Sequence, residues 1–242
     1  MALPIILNAP TYDVELPLSK KTVSYRPYLV KEEKILMMAL ESQDQQQIMK
    51  TVQDIINACT FGKIKAKDLP TAELELLFLK LRAKSVGETS EVSYECKECK
   101  TPNPVTINLT EVEIFIPKKA VSPKVMLTDT VGVILKYPTA DDVTKSLGGN
   151  KKNEGVTDVS RTFAIINSCV EAIFDGENTH EAASLEKKDV DDFIDSLSTH
   201  QFKKIQDFFE SIPKLSQEVS FTCSKCSTKN DIVLEGLQSF FG

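Results

Sequence analysis

The residues best placed to do chemistry in this chain are four cysteines arranged as two Cys-x-x-Cys pairs. Cys96 and Cys99 lie in EVSYECKECKTPN (Glu91 to Asn103), and Cys223 and Cys226 lie in EVSFTCSKCSTKN (Glu218 to Asn230). The two stretches agree at seven of thirteen positions, Glu, Val, Ser, both cysteines, Thr and Asn, with Phe221 in place of Tyr94 and no gap in the alignment. A Cys-x-x-Cys knuckle offers two thiolates to one metal, and two knuckles supply the four that a tetrahedral structural zinc requires. One structural Zn2+ per chain, shared by Cys96, Cys99, Cys223 and Cys226, is the expected cofactor. Metal bound between chains, disulfides and empty thiols are the alternatives that the spacing leaves open. A redox role fits worst, because a thioredoxin-type pair sits at a helix N-terminus where the dipole lowers a thiol pKa, whereas these pairs sit between strands.

The elements that must position the knuckles follow from the flanking periodicity. Val92 and Tyr94 alternate before the first pair, Val105, Ile107 and Leu109 after it, and Ile232 and Leu234 after the second, so each pair joins the strands of a hairpin. Upstream of the first hairpin, Val23 to Tyr28 reads as a short strand. Lys31 to Glu41 reads as a helix, and Gln45 to Cys59 as an amphipathic helix. A third helix opens at Pro70 and runs to Lys84, with Leu74, Leu77, Phe78 and Leu81 as its buried stripe. In the second half a strand over Gly132 to Tyr137 precedes a helix with Thr139 as N-cap and Asp141 and Asp142 in the first turn. Helices are then expected over Val159 to Phe174, Asp189 to Ser198 and Thr199 to Ser211. Ile165-Ile-Asn-Ser-Cys169 repeats Ile55-Ile-Asn-Ala-Cys59, again without a gap.

A shared order of elements with two matching anchors implies an internal duplication. The expected fold class is α+β, with duplicated strand–helices–hairpin units joined through one zinc-ribbon-like four-cysteine site. The expected organisation is an extended N-terminal arm over 1–22, a first repeat over 23–109, a linker over 110–128 and a second repeat over 129–242. The glycine-rich run from Gly148 to Gly155 has almost nothing to bury and is expected to be a mobile loop. Cys59 and Cys169, on the apolar stripes of matching helices, are expected to be small buried hydrophobes.

Composition narrows the function. The chain has 242 residues, a net charge of −6 and a pI near 5.2, a balance that argues against general affinity for nucleic acid. It contains no apolar run long enough to span a membrane and no signal-peptide pattern, so folding in the cytosol with reduced thiols is expected. His180 and His200 share no motif with a nucleophile, there is no glycine-rich phosphate loop, and no catalysis is expected. The basic residues of LKLRAKS (Leu79 to Ser85) read as the solvated face of a helix.

The string Tyr28-Leu-Val-Lys-Glu-Glu-Lys-Ile-Leu-Met-Met-Ala39, then Leu79-Lys-Leu-Arg-Ala-Lys-Ser-Val-Gly87 and the cysteine hairpin, resembles the baseplate hub subunit family of T4-like contractile-tailed phages. The chain length and the terminal Gly-Leu-Gln-Ser-Phe-Phe-Gly are also similar, and the resemblance is strongest over Val23 to Leu109 and the last twenty residues. It implies a non-enzymatic structural subunit of the tail baseplate hub in the virion, assembled in the host cytoplasm within a hetero-oligomer. Its implied partners are other baseplate hub proteins, with the tape-measure protein as a further candidate. The family brings no catalytic residues; the zinc expectation rests on the knuckle cysteines themselves.

A runner-up of another class is a zinc-ribbon regulatory or nucleic-acid-binding module presenting Tyr94, Lys97, Lys100, Phe221, Lys225 and Lys229 to a strand. The acidic balance, and the placing of Tyr94 and Phe221 on the core side of each hairpin, weigh against it. Leu237, Phe240 and Phe241, beyond the last strand, must be buried either in the chain's own core or in a neighbour's groove.

Overall fold

The computed structural model describes residues 9–118, 121–147 and 157–240, which form a mixed α+β protein of two compact units. The first unit is discontinuous: it comprises residues 1–115 together with 214–242, while residues 116–213 make the second. These boundaries differ from the expected repeats at 23–109 and 129–242. The reason is packing: the second cysteine hairpin, late in the sequence, completes the sheet and core of the first unit. The expected glycine-rich loop at 148–155 and Phe241 lie outside the described residues.

In the first unit, β1 (Tyr12–Leu16) and β2 (Lys21–Tyr25) form an antiparallel hairpin, so the part of the expected arm from Tyr12 onward is a paired strand. Its turn is fixed by Glu73, whose fully buried carboxylate accepts the backbone N–H groups of Leu18 at 2.7 Å and Ser19 at 2.8 Å. Helix α1 (Val30–Glu41) and helix α2 (Gln45–Cys59) follow, α2 opening at Asp44, whose side chain accepts from Gln46 and Gln47 N–H. Helix α3 (Thr71–Ser85) departs from the expected single stripe. Leu76, Leu79 and Ala83 are buried as well as Leu74, Leu77, Phe78 and Leu81, so the helix runs through the middle of the unit, covered on every side. Lys80 is drawn inward with it and donates to the carbonyls of Thr110 and Val112, and is therefore no part of a solvated basic face.

Two antiparallel ribbons pack on α3. One is β3 (Thr89–Glu95) with β4 (Pro102–Asn108). The other is a three-stranded sheet in the order β11 (Lys229–Glu235), β10 (Lys214–Thr222), β5 (Glu113–Phe115). The expected linker over 110–128 thus contains β5, and also β6 (Lys124–Met126), which belongs to the second unit's sheet. Alternating residues of both ribbons, among them Val92, Val105, Ile107, Leu215 and Leu234, meet Leu76, Leu79 and Ala83 of α3 in one core. A short turn of 3₁₀ helix, Leu237–Phe240, drops Phe240 into that core with no exposed surface.

The second unit is a four-stranded antiparallel meander, β6, β7 (Val131–Leu135), β8 (Val170–Asp175) and β9 (Asn178–Glu181), with helices α4 (Ala140–Leu147), α5 (Asp158–Ser168), α6 (Lys187–Asp195) and α7 (Thr199–Glu210). Side chains of α5, α6 and α7, including Ile166, Ile194, Ile205 and Phe208, bury Val133, Leu135 and Ile173 of the sheet. The helix expected to reach Phe174 ends at Ser168; the β-branched and aromatic run Val170 to Phe174 pairs with β7 instead. Gly132 is required at its place in β7, because a Cβ there would collide with the Phe174 ring and the Val125 carbonyl of the flanking strands. Among the described residues, no helix is long and apolar enough to cross a membrane.

Candidate metal centre

Each knuckle is shaped by its own backbone before any metal is considered. Cys96 N–H donates to Thr101 O at 2.9 Å and Lys100 N–H to Cys96 O at 3.0 Å; in the second hairpin Cys223 N–H donates to Thr228 O at 2.9 Å and Ser227 N–H to Cys223 O at 3.0 Å. Both loops close through a left-handed residue, Lys100 at φ 56° and Ser227 at φ 58°. The strand pairing agrees as well: Glu95 opposes Pro102 as Thr222 opposes Lys229, the equivalent positions of the two stretches. Two stretches of similar sequence have therefore formed two ribbons of like geometry.

The ribbons meet tip to tip. Cys96 Sγ lies 3.6 Å from Cys226 Sγ, and Cys99 Sγ lies 3.6 Å from Cys223 Sγ. All four sulfurs fall within 4.8 Å of one another. Four thiolates about 2.3 Å from a central zinc stand about 3.8 Å apart along a tetrahedron's edges, so the donor set fits that ion in number, type and spacing. The separations far exceed the roughly 2.05 Å of a disulfide, and all six cysteines are free thiols. Among the described residues this is the one group of three or more Cys, His, Asp or Glu side chains placed to share a metal.

Two asparagines complete the centre. Asn103 Oδ1 accepts the Ser224 N–H at 2.8 Å, and its Nδ2 donates to Thr101 O at 2.7 Å and approaches Cys223 Sγ at 3.7 Å. Asn230 mirrors it, accepting the Lys97 N–H at 2.9 Å and donating to Thr228 O at 2.9 Å with Cys96 Sγ at 3.7 Å. Thr101 and Thr228 hydroxyls lie 3.3 Å from Cys99 and Cys226 sulfurs respectively. Sequence reasoning missed the roles of these Thr and Asn side chains, although both residues recur in the repeated stretch. Backbone N–H groups aimed at two of the sulfurs shift them as metal binding requires: the Cys99 N–H lowers Cys96, and the Cys226 N–H brings Cys223 down to about 6, while Cys226, beside the Cys99 and Cys223 sulfurs, is raised.

The remaining sequence candidates lie elsewhere. Cys59 and Cys169 are fully buried, and burial pushes their thiols up to about 11 and 12. His180 and His200 are exposed on β9 and α7. The rings of Tyr94 and Phe221 pack against the core of the first unit, and the Tyr94 hydroxyl donates to Ser239 O at 2.6 Å, so neither stands free to stack on a base.

A second set of matching contacts surrounds the other repeated string. Arg26 N–H donates to Cys59 O at 3.0 Å, and Lys136 N–H to Cys169 O at 2.8 Å. Arg26 pairs with Glu32 at 2.9 Å and Lys136 with Asp142 at 3.0 Å, while the same carboxylates accept the N–H of Leu29 and of Thr139 ahead of α1 and α4. Burial pushes both carboxyls up, but Arg26 with the Leu29 N–H, and Thr139 with Lys136, outweigh it and hold them below the usual carboxylate range.

Fold and centre together define a mixed α+β protein in which two antiparallel ribbons bring four thiols to one point. The family described as T4 bacteriophage base plate protein matches residues 9–242, and the chain belongs to that family. The baseplate hub assembly protein gp26 of Enterobacteria phage T4 is 26% identical over 234 residues, covering 95% of this chain and 97% of that protein. No solved structure matches the chain.

Proposed function

We propose that this chain is a non-enzymatic structural and assembly subunit of the central hub of a phage tail baseplate, held together by one structural zinc. The observation that carries the assembly role is the likeness, over nearly the whole length of both chains, to a protein named for baseplate hub assembly. The zinc is supported by four thiols within 4.8 Å and by the backbone N–H groups that favour the ionised form of two of them, Cys96 and Cys223. Matching contacts around both repeated strings support an internal duplication, with repeats over 23–109 and 129–242, a linker over 110–128 and an arm over 1–22. Other baseplate hub proteins are the partners this reading names, with the tape-measure protein as a further candidate. The working place is the virion tail baseplate, reached by assembly in the host cytoplasm.

The test has two arms. Co-expression with the neighbouring tail genes should yield a complex of fixed ratio containing this chain; failure of every neighbour to co-purify would overturn the hub role. Elemental analysis of protein prepared without added metal should find close to one zinc per chain, lost in Cys226→Ser; two equivalents, or none with all thiols reduced, would remove the shared site.

A further inference from the structure

Helix α1 is apolar on two faces, and the described chain covers one of them. Ala39 and Glu32 are buried, while Val30, Ile35, Met37, Met38 and Leu40 stand exposed, Met38 at 68%. A helix with one face on a core ordinarily carries polar residues on the other, and clustered exposed apolar side chains mark a contact surface.

The second unit supplies an internal comparison. Helix α4 follows β7 as α1 follows β2, and Asp142 stands where α1 has Glu32 when Cys169 is aligned with Cys59. In that alignment the positions matching Lys31 and Ile35 are Asp141 and Lys145, which form an ion pair at 2.7 Å on the surface. Where α1 carries Ile35 the fold therefore takes a polar Lys145, so Ile35 answers to something other than the packing of the helix itself.

Charge says what. Lys31, whose side chain is 71% exposed although 3.5 Å from Glu32, and exposed Lys34 lie toward the N-terminal end of α1, whereas Glu41 closes the C-terminal end and Asp44 follows it. Glu32 and Glu33 in the first turn suit the helix dipole, whereas Glu41 in the last turn, with no basic residue beside it, runs against it, so the placing of Glu41 does not serve the helix itself. It does serve an antiparallel pairing of the helix with its own copy. Setting Met37 against Met38 of the second copy brings Lys34 opposite Glu41, twice over by the two-fold symmetry of such a contact. A parallel pairing would set like charges together.

We propose that the outward face of α1 is a docking surface for a second copy of this chain, seated antiparallel on the exposed methionines and held in register by the Lys–acid pairs. Methionine suits such a small contact, being flexible and polarisable enough to fill it.

Sedimentation equilibrium of the full chain over roughly 1–100 µM, the range of a weak contact below standard size, should show a reversible monomer–dimer equilibrium. Met38→Asp should abolish it. Lys34→Glu should weaken it by about tenfold, since each of two surface pairs becomes a repulsion. Glu41→Lys should weaken it likewise, and an equimolar mixture of the two, or the double variant in one chain, should restore it. Circular dichroism unchanged from wild type checks that these exposed positions leave the fold intact. A wild-type chain that stays monomeric throughout the range overturns the proposal and leaves this face to a different protein. A dimer indifferent to Met38→Asp, or charge variants that do not rescue one another, overturns it equally.

Discussion

Asn103 and Ser224 stand far apart in the chain and are joined by a 2.8 Å hydrogen bond across the tips of the two cysteine hairpins. The bond from Lys97 to Asn230 is its mirror image. Ligand-supporting contacts of this kind commonly govern metal affinity by about 10–100-fold. Asn103→Ala and Asn230→Ala are each expected to weaken zinc binding within that range, and by similar amounts, in competition against a chromophoric chelator. A large effect from one and none from the other would end the symmetric account of the pair.

The six thiols divide into two chemical populations. Alkylation of the zinc-loaded protein is expected to be slow at every cysteine; after chelation frees the hairpin tips, Cys96, Cys99, Cys223 and Cys226 should react, Cys223 being brought to about 6 by its neighbouring N–H groups. Cys59 and Cys169, buried and raised to about 11 and 12, should label only in denaturant. Mass mapping of the labelled peptides checks the order, and early labelling of Cys59 would contradict the burial described for α2.

Stability should respond to pH from two directions. Burial pushes Glu75 up from 4.5 to about 7, even though the Leu237 N–H lowers it. A carboxyl raised in the fold stabilises fully below its unfolded value, and that contribution is lost as pH rises through about 7. Glu32 and Asp142 are depressed and act oppositely, contributing above the unfolded carboxylate pKa and failing as pH drops through their folded values. Glu75→Gln is expected to melt higher than wild type at pH 8 and to differ little at pH 4.5. Melting curves across pH 4 to 9 decide it; a variant with lower Tm at pH 8 refutes the assignment.

Phe240 belongs to the core of the first unit and not to a docking tail. Phe240→Ala should cost about 3–5 kcal/mol, as for other fully buried aromatic residues, read as a fall in the urea midpoint of the isolated protein. An unchanged midpoint would return the tail to the surface.

The hairpins, the cysteine cluster and the capping of α4 by Thr139 are legible because each is written in short-range spacing. Helix α3 is only half legible: Leu74, Leu77, Phe78 and Leu81 satisfy one stripe, and nothing local shows that Leu76 and Leu79 face a second set of ribbons. Val170 to Phe174 reads as helix because Ile165 and Ile166 carry a helical period into it, and only pairing with β7 decides for a strand. The unit boundaries are hidden for the same reason, since they depend on where Leu215, Leu234 and Phe240 pack and not on the order of elements. At the cysteine cluster the four thiols are legible and their supports are not. Asn103 and Asn230 recur at matching places, but their partners lie on the opposite hairpin.

The discontinuity of the first unit sets a timetable for synthesis. A nascent chain that has reached Pro213 has already delivered every residue of the second unit, which can fold while translation continues. The first unit, begun earlier, must wait: Leu215, Leu234, Phe240 and half of the clustered thiols follow the second unit in the chain. Until they arrive, α3 holds an apolar flank open to solvent, a period in which chaperones have reason to attend it. A premature stop codon soon after Pro213 would therefore spare the middle of the protein and ruin its beginning.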